Sequence, residues 1–217
     1  MTLLEAVQER HSVRSYEKRS LEDEDVAKLE AYIMQINKES GLGLRLITDE
    51  PLAFGSFKAH YGKFSGVTDY IAVSGGKGMS EKAGYYGEKA VLYAQTLGLR
   101  TCWVALTYKK NKSMLTQDKL YVVIAIGYGK DDGVMHKSKG RSQVTDLTEA
   151  PDWFWDGIDA ALLAPTAMNQ QKFRFSLDGD KVTCSKGHGF YTGIDLGIAM
   201  LHFELGSGKE GCFRDLL

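Results

Sequence analysis

Seven consecutive apolar residues, Leu120-Tyr121-Val122-Val123-Ile124-Ala125-Ile126, constrain the fold more tightly than any other stretch of this chain. A strand with one wet face alternates apolar and polar side chains, because successive residues point to opposite faces. A run with no polar position must be covered on both faces. Partner strands are at hand: Tyr70–Val73 reads as short and buried, Thr101–Ala105 as central, and Leu44–Ile47 as weakly alternating.

The helices carry start and stop signals. Thr2 and Glu5 form a capping-box pattern before Leu3, Leu4 and Val7, predicting a short helix that ends at Arg10. Ser20 and Asp23 start a second helix with Val26, Leu29, Ile33 and Ile36 on its apolar face, closed by Gly41 and Gly43. Ser80 caps a longer one ending at Gly98, with Ala83, Tyr86, Ala90, Ala94 and Leu97 inward. Small residues on that face let another helix approach closely. Phe54, Phe57, Tyr61 and Phe64 lie in an irregular stretch, read as a covering for the core. The cluster Gly75-Gly76-Lys77-Gly78 lacks phosphate-loop spacing and reads as a turn.

After a polar linker the same grammar returns. A helix buries Phe154, Ile158, Ala161 and Leu162; Asp178-Gly179-Asp180 turns a hairpin. A last helix shows Ile194, Ile198, Leu201 and Leu205, stopped by Gly206 and Gly208. Tyr86–Gly98 and Ile194–Gly206 are counterparts, each closing on Leu-Gly. The expected organisation is a first repeat at 1–129, a linker at 130–150 and a shorter second repeat at 151–217, packed as one unit.

Composition narrows the function. Lys and Arg number 27 against 28 Asp and Glu, so nothing draws the whole surface to nucleic acid or an anionic membrane. Cys102, Cys184 and Cys212 form neither a disulfide framework nor a zinc pattern. His11, His60, His136, His188 and His202 show no metal-ligand spacing. No apolar run reaches the ~18 residues of a spanning helix, and the first residues do not read as a signal peptide. The expected location is the cytoplasm.

Two segments carry chemistry. In Arg10-His11-Ser12-Val13-Arg14, an extended backbone puts Arg10, Ser12 and Arg14 on one side; a helical one keeps Arg10 and Arg14 adjacent at i,i+4. Either gathers two guanidiniums, whose forked donors suit a phosphate dianion, although a solvated basic helix end has the same composition. In Ala164-Pro165-Thr166-Ala167-Met168-Asn169-Gln170-Gln171, a helix-to-strand elbow presents hydroxyl and amide groups without acid, base or nucleophile. Such groups suit gripping a flat, polar-edged ring.

With these two motifs, and with the Leu97–Val104 and Ile126–Gly129 passages, the chain resembles the nitroreductase-like flavoprotein family. More narrowly it resembles the single-chain branch, in which two fused repeats form a pseudo-dimer. The resemblance implies a mixed α+β fold: a central, mainly antiparallel sheet flanked by helices. It implies FMN, with Arg10 and Ser12 at the phosphate, His11 beside them and Arg14 near the pyrimidine end of the ring. Pro165, Thr166, Ala167, Asn169 and Gln171 would line the ring and ribityl chain, and Lys139 and Arg141 would supply a further cation. Lys172 stands where the family has proline, and His11 where it has arginine. Gln35–Ser40 is read as a degenerate first-half elbow, and Trp153-Phe154-Trp155 replaces the Arg motif in the second half, so one FMN per chain is expected.

The implied activity is ping-pong transfer of electrons from NAD(P)H through the flavin to a small oxidant such as a nitroaromatic or quinone. The protein would act as a monomeric pseudo-dimer or dimerise further, with neither nucleic acid nor membrane as partner. The sequence assigns no catalytic residue. A non-catalytic flavin- or nucleotide-binding protein is the alternative.

Overall fold

A computed structural model describes residues 1–55, 61–114, 116–213 and 217, so Phe57 and His60 lie outside the described residues. The chain divides into two units: Arg10–Met79 with Lys89–Met135, and Met1–Glu9 with Ser80–Glu88 and His136–Leu217.

The first of these holds the sheet. Strands β1 (Gly43–Ile47), β2 (Asp69–Gly75), β3 (Arg100–Val104) and β4 (Lys119–Gly127) stand in the order β1-β2-β4-β3. Every pairing is antiparallel. As the apolar run demands, β4 is buried from Tyr121 onward, and β2 is buried throughout. Strand β3 lies at the edge and not in the centre. Its apolar character has a local cause: Ser12 bridges Thr101 in parallel, and the Val13 N–H donates to the Thr101 carbonyl at 3.0 Å, so the edge is covered.

Helix α2 (Asp23–Ser40) packs on β1 and buries Leu29, Ile33 and Ile36, with Val26 only half-buried. Gly41 ends it at φ 71°, the left-handed turn that glycine adopts without a Cβ clash. Ser20 does not cap this helix; its hydroxyl donates to the Asp49 carboxylate at 2.5 Å. The Asn37 amide exchanges two hydrogen bonds with the Leu44 backbone, at 2.8 and 2.9 Å. Gln35–Ser40 is thus helical to its end. Phe54, Phe64 and Tyr70 pack together with ring centroids 5.2 and 6.0 Å apart, whereas Tyr61 is exposed.

In the other unit, α1 (Leu3–Glu9) opens on the reciprocal cap. The Thr2 N–H donates to Glu5 at 2.7 Å, and the Glu5 N–H to the Thr2 hydroxyl at 3.2 Å. Helix α3 (Ser80–Thr96) spans the division of the chain, its residues 80–88 belonging here; Ser80 donates to Glu81 and does not cap it. Helix α4 (Asp152–Ala161), the hairpin β5 (Phe173–Asp178) and β6 (Lys181–Lys186), and α5 (Thr192–Ser207) complete the unit.

Helix α5 is apolar nearly all round, as suits a helix enclosed by its neighbours. Phe203 stacks on Phe175 at 4.9 Å and meets Phe154 and Phe213 edge-on at 5.4 and 5.7 Å. Gly206 does not stop α5. It lies inside because a Cβ there would sit 2.4 Å from that of Ala160 on α4; Gly208, at φ 65°, ends the helix. On another face α3 and α5 touch backbone to backbone at Gly84 and Gly197, so glycine, more than the inward alanines of α3, sets their approach. Among the described residues no helix is long and apolar enough to cross a membrane.

Candidate functional site

The Arg motif resolves to the extended alternative. Ser12 and Tyr16 make bridges to Thr101 and Gly129, and Ser15 bridges Ser65. The Arg14 carbonyl accepts from Ser65 N–H at 2.9 Å. Side chains therefore alternate: Val13 is buried on one side, and Arg10, Ser12 and Arg14 take the other.

Arg10 is only 4% exposed, with its Nη2 3.5 Å from the Ser12 hydroxyl, and Arg14 is exposed. Both guanidiniums act on Cys102. Burial pushes its thiol up, while the charges of Arg14 and Arg10 and a hydrogen bond from Ser12 pull it down. The net direction is upward, so Cys102 is a small buried hydrophobe and not a nucleophile. Tyr16 donates to the Val13 carbonyl at 2.7 Å, and burial holds its phenol well above the usual range. His11 is half-buried. The segment thus concentrates positive charge beside β3 on a backbone pinned from both sides.

The elbow belongs to the other unit. After α4 the chain turns through a short 3-10 helix, Ala167–Asn169, before β5. Met168, Asn169 and Gln171 have φ of 53°, 53° and 42°, in the left-handed region that non-glycine residues avoid. The turn is held by its own polar groups. Gln171, 2% exposed, accepts from the Lys139 N–H at 2.8 Å and donates to the Lys137 carbonyl at 2.9 Å and to Asn169 at 2.6 Å. Its N–H donates to the Thr166 hydroxyl at 3.0 Å. Asn169 also donates to the Lys137 carbonyl at 2.9 Å.

Gln171 is therefore a staple that holds residues 137–139 against the elbow. The Lys139 ammonium donates to the Gln171 carbonyl at 2.9 Å. Arg141 pairs with Asp159 at 2.5 and 2.8 Å and lies 5.1 Å from the centre of the Trp155 ring. Pro165 and Thr166 are half-buried at the entry to the turn.

One group escaped the sequence reading. Asp195, in the first turn of α5, accepts from the Ala167 N–H at 2.9 Å and from the Gln170 amide at 2.6 Å. It is 3% exposed, and burial pushes its carboxyl up to about 6 against the pull of those two hydrogen bonds. An acid inside an apolar helical pattern was the available signal. His202 is likewise fully buried, its Nε2 2.9 Å from Glu88 and its Nδ1 3.2 Å from the Ala160 carbonyl. It is a polar core residue.

Among the described residues no cluster of His, Cys, Asp or Glu is placed to hold a metal ion. A cavity of about 510 Å³ opens beside Lys18, Phe54, Phe64 and Gly66, and no residue of either motif lines it.

Solved structures give the fold. The crystal structure of a "putative nitroreductase" from Thermotoga maritima aligns over 100% of this chain and 85% of its own, with 22% identity and a TM-score of 0.70. A "putative nitroreductase in complex with FMN" from Desulfovibrio desulfuricans covers 70% of this chain and 98% of its own, at 18% identity and TM-score 0.54. A "Putative NADH dehydrogenase/NAD(P)H nitroreductase" from Parabacteroides distasonis covers 65% and 95%, at 21% identity and TM-score 0.52. No curated protein matches. The antiparallel sheet flanked by helices is thus the nitroreductase fold.

The family model described as "Putative TM nitroreductase" matches residues 2–207. The chain belongs to that nitroreductase family and is an oxidoreductase.

Proposed function

We propose that this chain is an FMN-dependent oxidoreductase that takes electrons from NAD(P)H and delivers them to a small oxidant, a nitroaromatic or quinone. The observation that carries the reading is the buried Arg10 guanidinium next to Ser12 on a pinned extended segment, with Arg14 on the same side. Guanidiniums gathered with a hydroxyl on one side of a fixed backbone offer forked donors matched to phosphate oxygens, so the arrangement fits a ligand with a phosphate. The FMN named for the Desulfovibrio structure supports that choice of ligand.

In this proposal Arg10, His11 and Ser12 hold the phosphate, and Arg14 supplies positive charge near the pyrimidine end of the ring. Pro165, Thr166, Ala167 and Asn169 line the ring and ribityl chain. Gln171 and Lys139 shape that surface from beneath, given their mutual hydrogen bonds, and Arg141 adds a cation nearby. Bound flavin would supply two-electron chemistry in a ping-pong sequence, the nicotinamide leaving before the oxidant arrives. The protein's task is position and charge. One FMN per chain, a duplicated origin with repeats at 1–129 and 151–217 joined by 130–150, and cytoplasmic residence belong to the same proposal.

The test is an absorption spectrum of the purified protein, before and after anaerobic NADH or NADPH. A flavin spectrum that bleaches supports the proposal. A colourless protein that cannot be reconstituted with FMN refutes it, and a flavin left oxidised by both nicotinamides leaves only a flavin-binding protein.

A further inference from the structure

The elbow holds three non-glycine residues at positive φ, a conformation that persists only where the surroundings over-determine it. Its anchors identify what does so. The Ala167 N–H, where the turn begins, and the Gln170 carboxamide, near its end, both donate to one carboxylate, that of Asp195. The same Gln170 amide also donates to the Phe190 carbonyl at 2.9 Å, tying a second loop to this point. Met168 and Phe190, large apolar side chains carried by these loops, are 100% and 88% exposed.

An acid in the first turn of a helix ordinarily serves that helix through its dipole and its free N–H groups. Here the hydrogen bonds go elsewhere, to the neighbouring turn. Among the described residues both hydrogen bonds to the carboxylate come from neutral amides, and burial of its charge opposes folding. Its position therefore has a use other than stability.

We infer that Asp195 is a positioning residue: it clamps the 165–171 elbow, and through Gln170 the Phe190 loop, into the shape that receives the cofactor. The inference rests on the FMN reading above. It assigns Asp195 no contact with the flavin.

Two variants test it. Asp195→Ala removes both acceptors, and Asp195→Asn keeps the volume and an acceptor for Ala167 while setting one amide nitrogen against another at Gln170. FMN dissociation constants from flavin fluorescence should rise about tenfold or more in Asp195→Ala, and less in Asp195→Asn. Hydrogen exchange of residues 165–171 in the flavin-free protein should quicken in the same order. Melting of the flavin-free variants should be unchanged or higher, an outcome that a merely structural residue would not give. A wild type that binds FMN, with both variants within twofold of it or with unaltered exchange at the elbow, overturns this inference alone. A lower melting temperature in both variants, in step with weaker binding, also overturns it. A wild type that binds no FMN overturns the FMN reading, and the inference falls with it.

Discussion

Replacing Gly197 by alanine tests how closely α3 and α5 are packed. The added Cβ would lie 2.0 Å from the Glu81 carbonyl oxygen and 2.7 Å from the Tyr85 nitrogen, both backbone atoms that cannot swing aside. Relief requires the helices to part by roughly an ångström, which loosens the packing around α5. Overpacking of this kind costs about 1–3 kcal/mol, and rigid backbone neighbours place this site at the upper end. Alanine recovers about 1 kcal/mol of helix propensity, leaving a net loss of about 2 kcal/mol. For a chain of this size that lowers the melting temperature by roughly 4–8 °C. Thermal melts followed by circular dichroism read this directly. Gly84→Ala, whose Cβ would meet the Ile194 carbonyl at 2.1 Å, acts at the same contact, so the double variant should lose less than the sum. A Gly197→Ala protein that melts at or above the wild-type temperature would refute the reasoning.

Other outcomes follow from groups already described. Arg10→Ala should weaken FMN binding by roughly 10- to 100-fold, the loss of a charge-assisted phosphate contact; unchanged flavin occupancy would remove Arg10 from the site. Because the Asp195 carboxyl is raised from 3.8 to about 6 in the folded state, the native protein holds its proton where the unfolded chain has lost it. Its stability contribution is therefore intact below pH 4 and falls by about 3 kcal/mol as the pH rises to 6 and beyond. Urea titrations at pH 4 to 7 should show Asp195→Asn gaining on the wild type over that window, and a constant difference would contradict the burial argument. His202→Ala removes a fully buried ring and its hydrogen bond to Glu88 and should cost roughly 2–5 kcal/mol in urea unfolding; a loss under 1 kcal/mol would show that the neighbours collapse into the gap.

The sheet could be read from the sequence because β4 carries its environment in its composition. A run with no polar position needs cover on both faces, and β4 is buried from Tyr121 onward. The N-terminal cap was legible for a similar reason, since Thr2 and Glu5 satisfy each other locally. Thr101–Ala105 misled because an edge strand sheltered by another segment has the same residues as a central one. Ser20 and Ser80 misled as caps because a hydroxyl commits to whichever acceptor the fold brings near. The elbow was visible as a break between two periodicities, yet its hold on Asp195 spans 28 residues, and no local pattern reports such a contact. Gly206 shows the same limit: glycine marks a helix end or a close crossing, and only the neighbour decides which.

The arginine-bearing strand has a second consequence through its place on β3. An uncovered outer strand offers a row of open amides and carbonyls to any other chain, a template for mispairing. Residues 12 and 13 close part of that row with a bridge and a hydrogen bond to Thr101. Shortening the polypeptide past this point would therefore leave a self-adhesive rim, and clumping would accompany the loss of the Arg10 and Ser12 contacts.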